Sequence, residues 1–345
     1  MSPKDSARRV AVVYNPVKGD ADEMKRLVAD AAAEHGWQPP TFLETSVEDP
    51  GFGPAQQAAE DGHDMVLAAG GDGTVRAVAA ALRSTGVALA VIPAGTGNLL
   101  ARNLKLPLDI PEAVTAAFDG QDTRIDVCTA LLTRPDGESE ELDFVVMAGV
   151  GIDAGMIVNT DEDLKKRVKF LAYAVGVAKS LTGGRRIRLT HRLNGGRARR
   201  TRVHSLIVGN CGDLVGSIPL LPDALANDGH FDVVSLRPTG LPGWFQIVGQ
   251  LALHMGRKVR NRLARRDEQL TGGDNDIDSL RYATGTRLEI TLAHPEVFEV
   301  DGDEVGEVSA FTVTIDPGCL VVREPVPEPV PEPGEPRPGT AVFDG

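Results

Sequence analysis

Residues 67–82, LAAGGDGTVRAVAAAL, set three glycines and one carboxylate between an apolar run and an alanine-rich helical pattern. A glycine-rich turn between strand and helix leaves backbone N–H groups pointing into one concave space, and the helix adds its positive dipole end. Gly70, Gly71 and Gly73 let the backbone approach a phosphate, and Thr74 can donate from the helix start. Asp72 cannot face a phosphate without a cation, so it implies Mg²⁺ or a charged partner. Taken alone, the motif also reads as a tight turn without a ligand. A second turn, PAGTGN (93–98), follows the next strand-like run, and YNPVKG (14–19) ends the first, adding Asn15 and Gly19. In a parallel sheet these turns share one edge, and three of them look like a nucleotide phosphate site. Neither G-x-x-x-x-G-K-[ST] nor G-x-G-x-x-G is present.

A late acidic run, VDGDE (300–304), places Asp301 and Asp303 around a glycine. Asp-Gly is also a strong hairpin-turn dipeptide, so an acidic turn explains it equally well. LANDGH (225–230) is similarly a turn signal. The seven histidines show no metal-ligand spacing, and G-x-S-x-G is absent.

The first 125 residues alternate strand and helix patterns. Strands are expected over 8–15, 41–45, 64–69 and 87–95, and helices over 20–36, 54–62 and 98–104. This predicts a doubly wound, mostly parallel α/β domain over 1–126, joined by 317–323. From about Asp126 strand-like runs dominate: 125–132, 142–150, 186–193, 204–210, 231–236, 287–292 and 298–302. They predict a β-sandwich-like second domain over 127–316, with the active site in the cleft between the two. Two helical stretches, 161–181 and 241–259, interrupt it. The proline- and glutamate-rich tail, 324–345, is expected to be disordered.

With 345 residues, 42% of them apolar, two domains can each bury a core. Aromatic residues at 4% and a net charge of −13 argue against nucleic-acid binding. The charge is uneven, however. Three stretches, 165–169, 185–202 and 256–266, hold half of the 36 lysines and arginines. They suit an anionic surface or phosphate-bearing ligand, or else are solvated faces. In 241–266, Trp244, Phe245, Ile247, Leu251 and Leu253 precede Arg257, Lys258, Arg260 and Arg262, a pattern for a bilayer surface or for packing on a sheet. Cys128, Cys211 and Cys319 are scattered and odd in number, which fits a reducing compartment. No signal peptide or 18-residue apolar run is visible. A cytoplasmic protein, peripheral at the inner face of the membrane, is expected. Nothing fixes a homo-oligomeric state.

YNPVKG, AAGGDGTVRAV (68–78), IPAGTGNLLARNLKLP (92–107), GVGIDA (149–154), LPDALANDGHFDVV (221–234) and EVDGDEVG (299–306) occur in the order of the diacylglycerol kinase catalytic family, which the chain resembles from about residue 8 to 323. Gly-Gly-Asp-Gly-Thr is shared with NAD kinases; its pairing with Pro-Ala-Gly-Thr-Gly-Asn and the late Asp-Gly-Asp is not. The resemblance implies a lipid kinase that uses ATP and Mg²⁺ and makes a phosphatidic-acid-like product from a lipid acceptor at a membrane surface. It places Asn15, Thr45, Gly70, Gly71, Asp72, Gly73, Thr74, Val75, Arg76 and Thr96 near the nucleotide. It makes Asp303 or Asp301 the catalytic base. Asp303 stands where the family usually has Glu, one methylene longer, with Glu304 next to it. Asp72 and Asp301 are expected in the shell of the catalytic Mg²⁺. A second, structural Mg²⁺ is implied at the Asp228 carboxylate with the carbonyls of Leu225 and His230. A soluble-metabolite kinase of the NAD kinase kind and a non-catalytic nucleotide- or lipid-binding regulator are the competing readings.

Overall fold

A computed structural model describes residues 7–16, 20–151, 186–214, 218–240, 242–243, 246–247, 249–251 and 279–326. The expected helix 161–181, most of 241–259, the basic stretches 165–169 and 256–266, residues 152–154 of GVGIDA, Gly19 and most of the tail lie outside them.

Four parallel strands build the first half: β1 (Val10–Tyr14), β2 (Thr41–Glu44), β3 (Met65–Gly70) and β4 (Ala88–Pro93), in the order β4-β3-β1-β2. The helices α1 (Ala21–Glu34), α2 (Phe52–Glu60), α3 (Asp72–Leu82), α4 (Leu99–Asn103) and α5 (Ile110–Asp119) connect and cover them. Strands buried on both faces read as continuous apolar runs, and β1, β3 and β4 are such runs. Their side chains alternate between two cores. Val12, Leu67 and Ile92 pack on one side with Met24 and Val28 of α1 and Phe118 of α5. Val13, Ala68 and Val91 pack on the other with Val78 and Leu82 of α3. Helix α5 was not among the expected elements. Its start signals are an Asp109 side chain that accepts the Glu112 N–H and a proline in the first turn.

The second half is antiparallel. Its strands are β5 (Gln121–Thr133), β6 (Ser139–Phe144), β7 (Met147–Val150), β8 (Ile187–Leu193), β9 (Arg199–Val203), β10 (Ser205–Gly209), the short β11 (Asp213–Leu214) and β12 (Ile218–Pro219), β13 (Phe231–Leu236), β14 (Leu280–Gly285), β15 (Arg287–Val300) and β16 (Asp303–Glu324). The order β14-β13-β10-β7-β15-β16 continues without a break into β4-β3-β1-β2. A bulge in β15 between Thr291 and Glu296 divides its neighbours: β8 pairs with its first part, β7 with its last. Residues from β5, β8 and β16 thereby share one core with residues from β7, β10 and β13, and the Phe298 and Phe311 ring centroids lie 4.8 Å apart in it. This is the expected sandwich-like half.

Three details differ from the sequence reading. The runs 287–292 and 298–302 are parts of one bulged strand ending at Val300. The run 142–150 is two strands, because the chain turns at Val145 and Val146. And β16 extends for 22 residues, pairing with β15 at its start, β5 along its length and, in parallel, β4 through Val321 and Ala88. The three cysteines are buried and unpaired. Among the described residues no helix is long and apolar enough to cross a membrane.

Candidate active site

The expected turns meet at one edge of the sheet. Gly70 ends β3, Gly71 caps α3 and Asp72 opens it, while the loop 94–98 leaves β4 alongside. The Ala94 N–H donates to the Gly70 carbonyl at 3.0 Å. A Cβ on Gly95 would lie 2.6 Å from the Gly71 Cα, and one on Gly97 would lie 2.5 Å from an Asp72 oxygen. These glycines are therefore demanded by turn-on-turn packing, whatever ligand the edge takes. Asn98 locks the second turn. It sits at φ 47°, accepts the Gly95 N–H and donates to the Gly95 carbonyl.

Asp72 faces protein. Its carboxylate accepts the Asn98 N–H at 3.0 Å and the Leu99 N–H at 2.5 Å, so it caps α4 across the two turns. Burial raises its pKa, those N–H donors oppose the shift, and nearby Asp303 adds to it. Asp301 is more deeply enclosed. Asp301 and Gly302, at φ 49° and 92°, form the two-residue turn between β15 and β16, with Val300 opposite Asp303. The Asp301 carboxylate accepts N–H groups from Val145 (3.1 Å), Val146 (3.0 Å) and Met147 (2.9 Å). Its own N–H donates to the Met147 carbonyl. Burial pushes its pKa up to about 6 against the pull of Arg76 and these donors. The VDGDE run is thus an acidic hairpin turn, and Asp301 is its anchor. Asp301, expected as base or Mg²⁺ ligand, is held in this structure by three backbone donors, two on Oδ1 and one on Oδ2.

Asp303 is the exposed carboxylate, with half of its side chain accessible. Arg76 reaches it from α3, donating to Asp303 Oδ2 at 3.0 Å and to the Val300 carbonyl at 2.6 Å. A Cβ on Gly73 would stand 3.1 Å from the same Asp303 oxygen. Arg76 therefore holds the hairpin against the first turn of α3, a different task from the nucleotide contact the resemblance implies. Val75 and Thr74 are buried, Thr74 filling the space where a Gly70 Cβ would stand. Thr96 is exposed on the second turn. Asn15 and Thr45 follow β1 and β2 on the same edge: the Asn15 N–H donates to Ala69 O and the Thr45 N–H to Tyr14 O.

Leu225, Asp228 and His230 lie elsewhere, ahead of β13. Asp228 accepts the His230 N–H at 2.9 Å, as in a simple Asx turn. Buried Asp126 accepts the Gly229 and Gly318 N–H groups, fixing this loop to β5 and β16. Burial raises the pKa of Asp232, with further pressure from Asp228 and Asp223. A hard cation would relieve that crowding. Among the described residues no three His, Cys, Asp or Glu side chains converge as metal ligands. A cation here must draw on carbonyls beside Asp228, which the implied ligand set does.

Two groups escaped the sequence reading. The N–H cradle of 145–147 has no signal, because Val-Val-Met inside an apolar run looks like uninterrupted strand. Asp126 was read only as a domain border, although a carboxylate inside an apolar strand pattern is itself a signal.

A model of the diacylglycerol kinase catalytic domain matches residues 9–130. A Pseudomonas aeruginosa protein named "Probable lipid kinase YegS-like" is 32% identical over 278 residues, 78% of this chain and 80% of that protein. A "Diacylglycerol kinase" of Staphylococcus epidermidis is 28% identical over 243 residues, 68% of this chain and 72% of that one. In fold alone, the chain superposes on a Bacillus anthracis diacylglycerol kinase with a TM-score of 0.64 at 18% identity, covering 92% of this chain and 97% of that one. A yeast NADH kinase reaches 0.50 at 11% identity, over 94% and 85%. Together these define an enzyme that phosphorylates an alcohol group. The chain belongs to the diacylglycerol kinase catalytic family.

Proposed function

We propose that this protein transfers the γ-phosphate of ATP to the hydroxyl of a diacylglycerol-like lipid. The observation that carries the reading is Asp303: an exposed carboxylate held by Arg76 beside Gly73, at the start of α3 and the glycine-rich turns. A general base must reach the attacking hydroxyl in line with the γ-phosphate, and phosphoryl transfer otherwise rests on positioning and charge. Asp303 takes the hydroxyl proton. Arg76 orients Asp303 and ties the hairpin that carries it to α3. The N–H groups around Gly71, Gly73 and Thr96 hold phosphate oxygens, with Asn15 and Thr45 further along the same edge. Asp72 and Asp301 keep the turns in register without touching the reactants.

Mg²⁺ bound to the nucleotide supplies charge neutralisation to the transferred phosphate. Asp72 accepts one N–H on each oxygen, and its remaining lone pairs would face the ion directly or through water. Asp303 would also face an ion carried on the nucleotide phosphates. A lipid acceptor would place the work at a bilayer surface, and the use of ATP would place it on the cytoplasmic side.

The test is transfer of label from γ-labelled ATP, with Mg²⁺, to diacylglycerol and other hydroxyl lipids in mixed micelles, with NAD in a lipid-free well. Organic-extractable product is expected, and Asp303→Asn should lower its rate by about 10²–10⁴. Label only in the NAD well would assign a soluble-metabolite kinase. An Asp303→Asn variant as active as the parent would remove Asp303 as the base.

A further inference from the structure

A second cleft lies in the β-rich half, away from the glycine turns. It has a volume of about 560 Å³ and opens beside β14, the end strand of the sheet. Arg197, Arg199 and Arg200 of the β8–β9 hairpin line it, Arg199 on the strand face it shares with His191 and Arg200 on the opposite face, and Arg237 and Arg281 are among its other lining residues. Among the described residues no carboxylate lines it. In a chain of net charge −13, that composition is a strong local inversion. Two acidic groups of the adjoining ladders are engaged elsewhere. Glu289 is held by Arg192 and Arg287 at 3.1 and 3.0 Å, and Asp232 accepts the Thr284 hydroxyl at 2.7 Å. Arg197, Arg199 and Arg200 form no ion pair among the described residues. The ring of His191, on β8, also faces the cleft, with a buried Nδ1 that has no hydrogen-bond partner. Burial, then Arg237 and Arg199, hold the pKa of that ring down.

The floor is different. Leu193, Leu206, Val233 and Leu288 line it, and the last three are buried members of the sandwich core. Guanidinium groups over an apolar floor match an amphiphile whose polar end is a dianion. Arginine binds phosphate oxygens in a fixed two-pronged geometry, and a phosphate monoester presents three such oxygens on one apex. We propose that this cleft is a second, non-catalytic site that binds the phosphomonoester headgroup of a lipid. It differs from a general basic surface in having a defined volume and an apolar base, with arginine as the charged lining residue type among the described residues. None of its lining residues belongs to the glycine turns or to the β15–β16 hairpin, and Leu288 stands near the opposite end of β15 from that hairpin. The site therefore stands whether or not the kinase reading does.

The experiment compares the full chain with the Arg197→Ala/Arg199→Ala/Arg200→Ala variant, without ATP. The probes are phosphatidylcholine vesicles with and without phosphatidic acid, followed by flotation, and glycerol 3-phosphate and inorganic phosphate, followed by calorimetry. The parent should float with phosphatidic-acid vesicles, and the triple variant should bind them at least tenfold more weakly. The corresponding triple Arg→Lys variant should fall between, since it keeps charge and loses the fork. Circular dichroism melts and retained ATP binding check the fold; should the triple variant not fold, Arg199→Gln alone is used, with a smaller loss expected. Equal binding by parent and variant would overturn the site. Equal loss in the Arg→Lys variant would overturn the bidentate geometry. Binding of glycerol 3-phosphate or phosphate without binding of the vesicles would overturn the lipid assignment in favour of a soluble phosphomonoester.

Discussion

Three carboxylates near the active edge share one chemical type and divide into two kinds of work. Asp72 and Asp301 spend their oxygens on backbone N–H groups, and Asp303 is held by one arginine and faces outward. Their substitutions should separate accordingly. Asp301→Ala leaves three buried N–H groups without an acceptor. Unsatisfied buried donors cost about 1–3 kcal/mol each, so a loss of at least about 3 kcal/mol is expected in urea unfolding. Asp303→Asn should leave the unfolding midpoint within about 0.5 kcal/mol of the parent, because the side chain is half exposed. Asp301 also has a pH signature. Its folded pKa, raised to about 6, lies above the unfolded value near 3.9, so the native state binds its proton more tightly. Its contribution is fully present below about pH 4 and is lost as pH rises towards 6. The parent minus Asp301→Asn difference in unfolding free energy should therefore shrink across that window, by about 3 kcal/mol. A flat difference would mean that Asp301 is ionised throughout.

At the scale of elements, the two glycine turns form one packed unit. Gly95→Ala would drive a methyl group to 2.6 Å from the Gly71 backbone, and backbone cannot rotate away as a side chain can. A cost of about 1–3 kcal/mol is expected, with weakened ATP binding measured by calorimetry. Arg83, at the end of α3, pairs with Asp143 of β6 at 2.8 Å and Asp316 of β16 at 3.2 Å, and donates to the Thr129 hydroxyl. Arg83→Met should cost about 1.5–3 kcal/mol by thermal or urea unfolding, the range of hydrogen bonds to charged groups. Much of this architecture was legible in the sequence. Strands β1, β3 and β4 were visible because both of their faces are buried and they read as continuous apolar runs. The glycine turns were visible because so few residues permit that packing. What stayed hidden was tertiary. The break at Val145 and Val146 exists to feed donors to a carboxylate over 150 residues away, and no local pattern announces it. The bulge in β15 split one strand into two apparent ones, since alternation fails where the register shifts. The active edge was legible as a set of residues; which carboxylate faces outward was not, because burial is decided by the partner strand.

The whole molecule is organised around a strand that belongs to both halves. β16 starts at Asp303 in the hairpin of the active edge, runs against β15 and β5 through the sandwich core, and ends beside β4. The two halves are thus joined by main-chain hydrogen bonds and by a buried core that draws Val13, Val66 and Val78 from the first half and Val146, Ile207 and Val234 from the second. Unfolding should accordingly be one transition by circular dichroism and by tryptophan fluorescence, and a chain cut back to residue 316 should lose the first half as well as the second. Two separated transitions would show that the halves are independent in energy despite the shared ladder.

That same ladder sets a timetable for synthesis. Ala88 emerges from the ribosome long before Val321, its partner across the β4–β16 ladder. At roughly 5–20 residues per second, the interval is on the order of ten seconds or more. Throughout it, Ala88 and Leu89 wait with one side of β4 unpaired. An open parallel edge is a template for any extended chain nearby. A nascent chain of this protein therefore needs its last strand to become safe, and the wait is written into the order in which the strands are made.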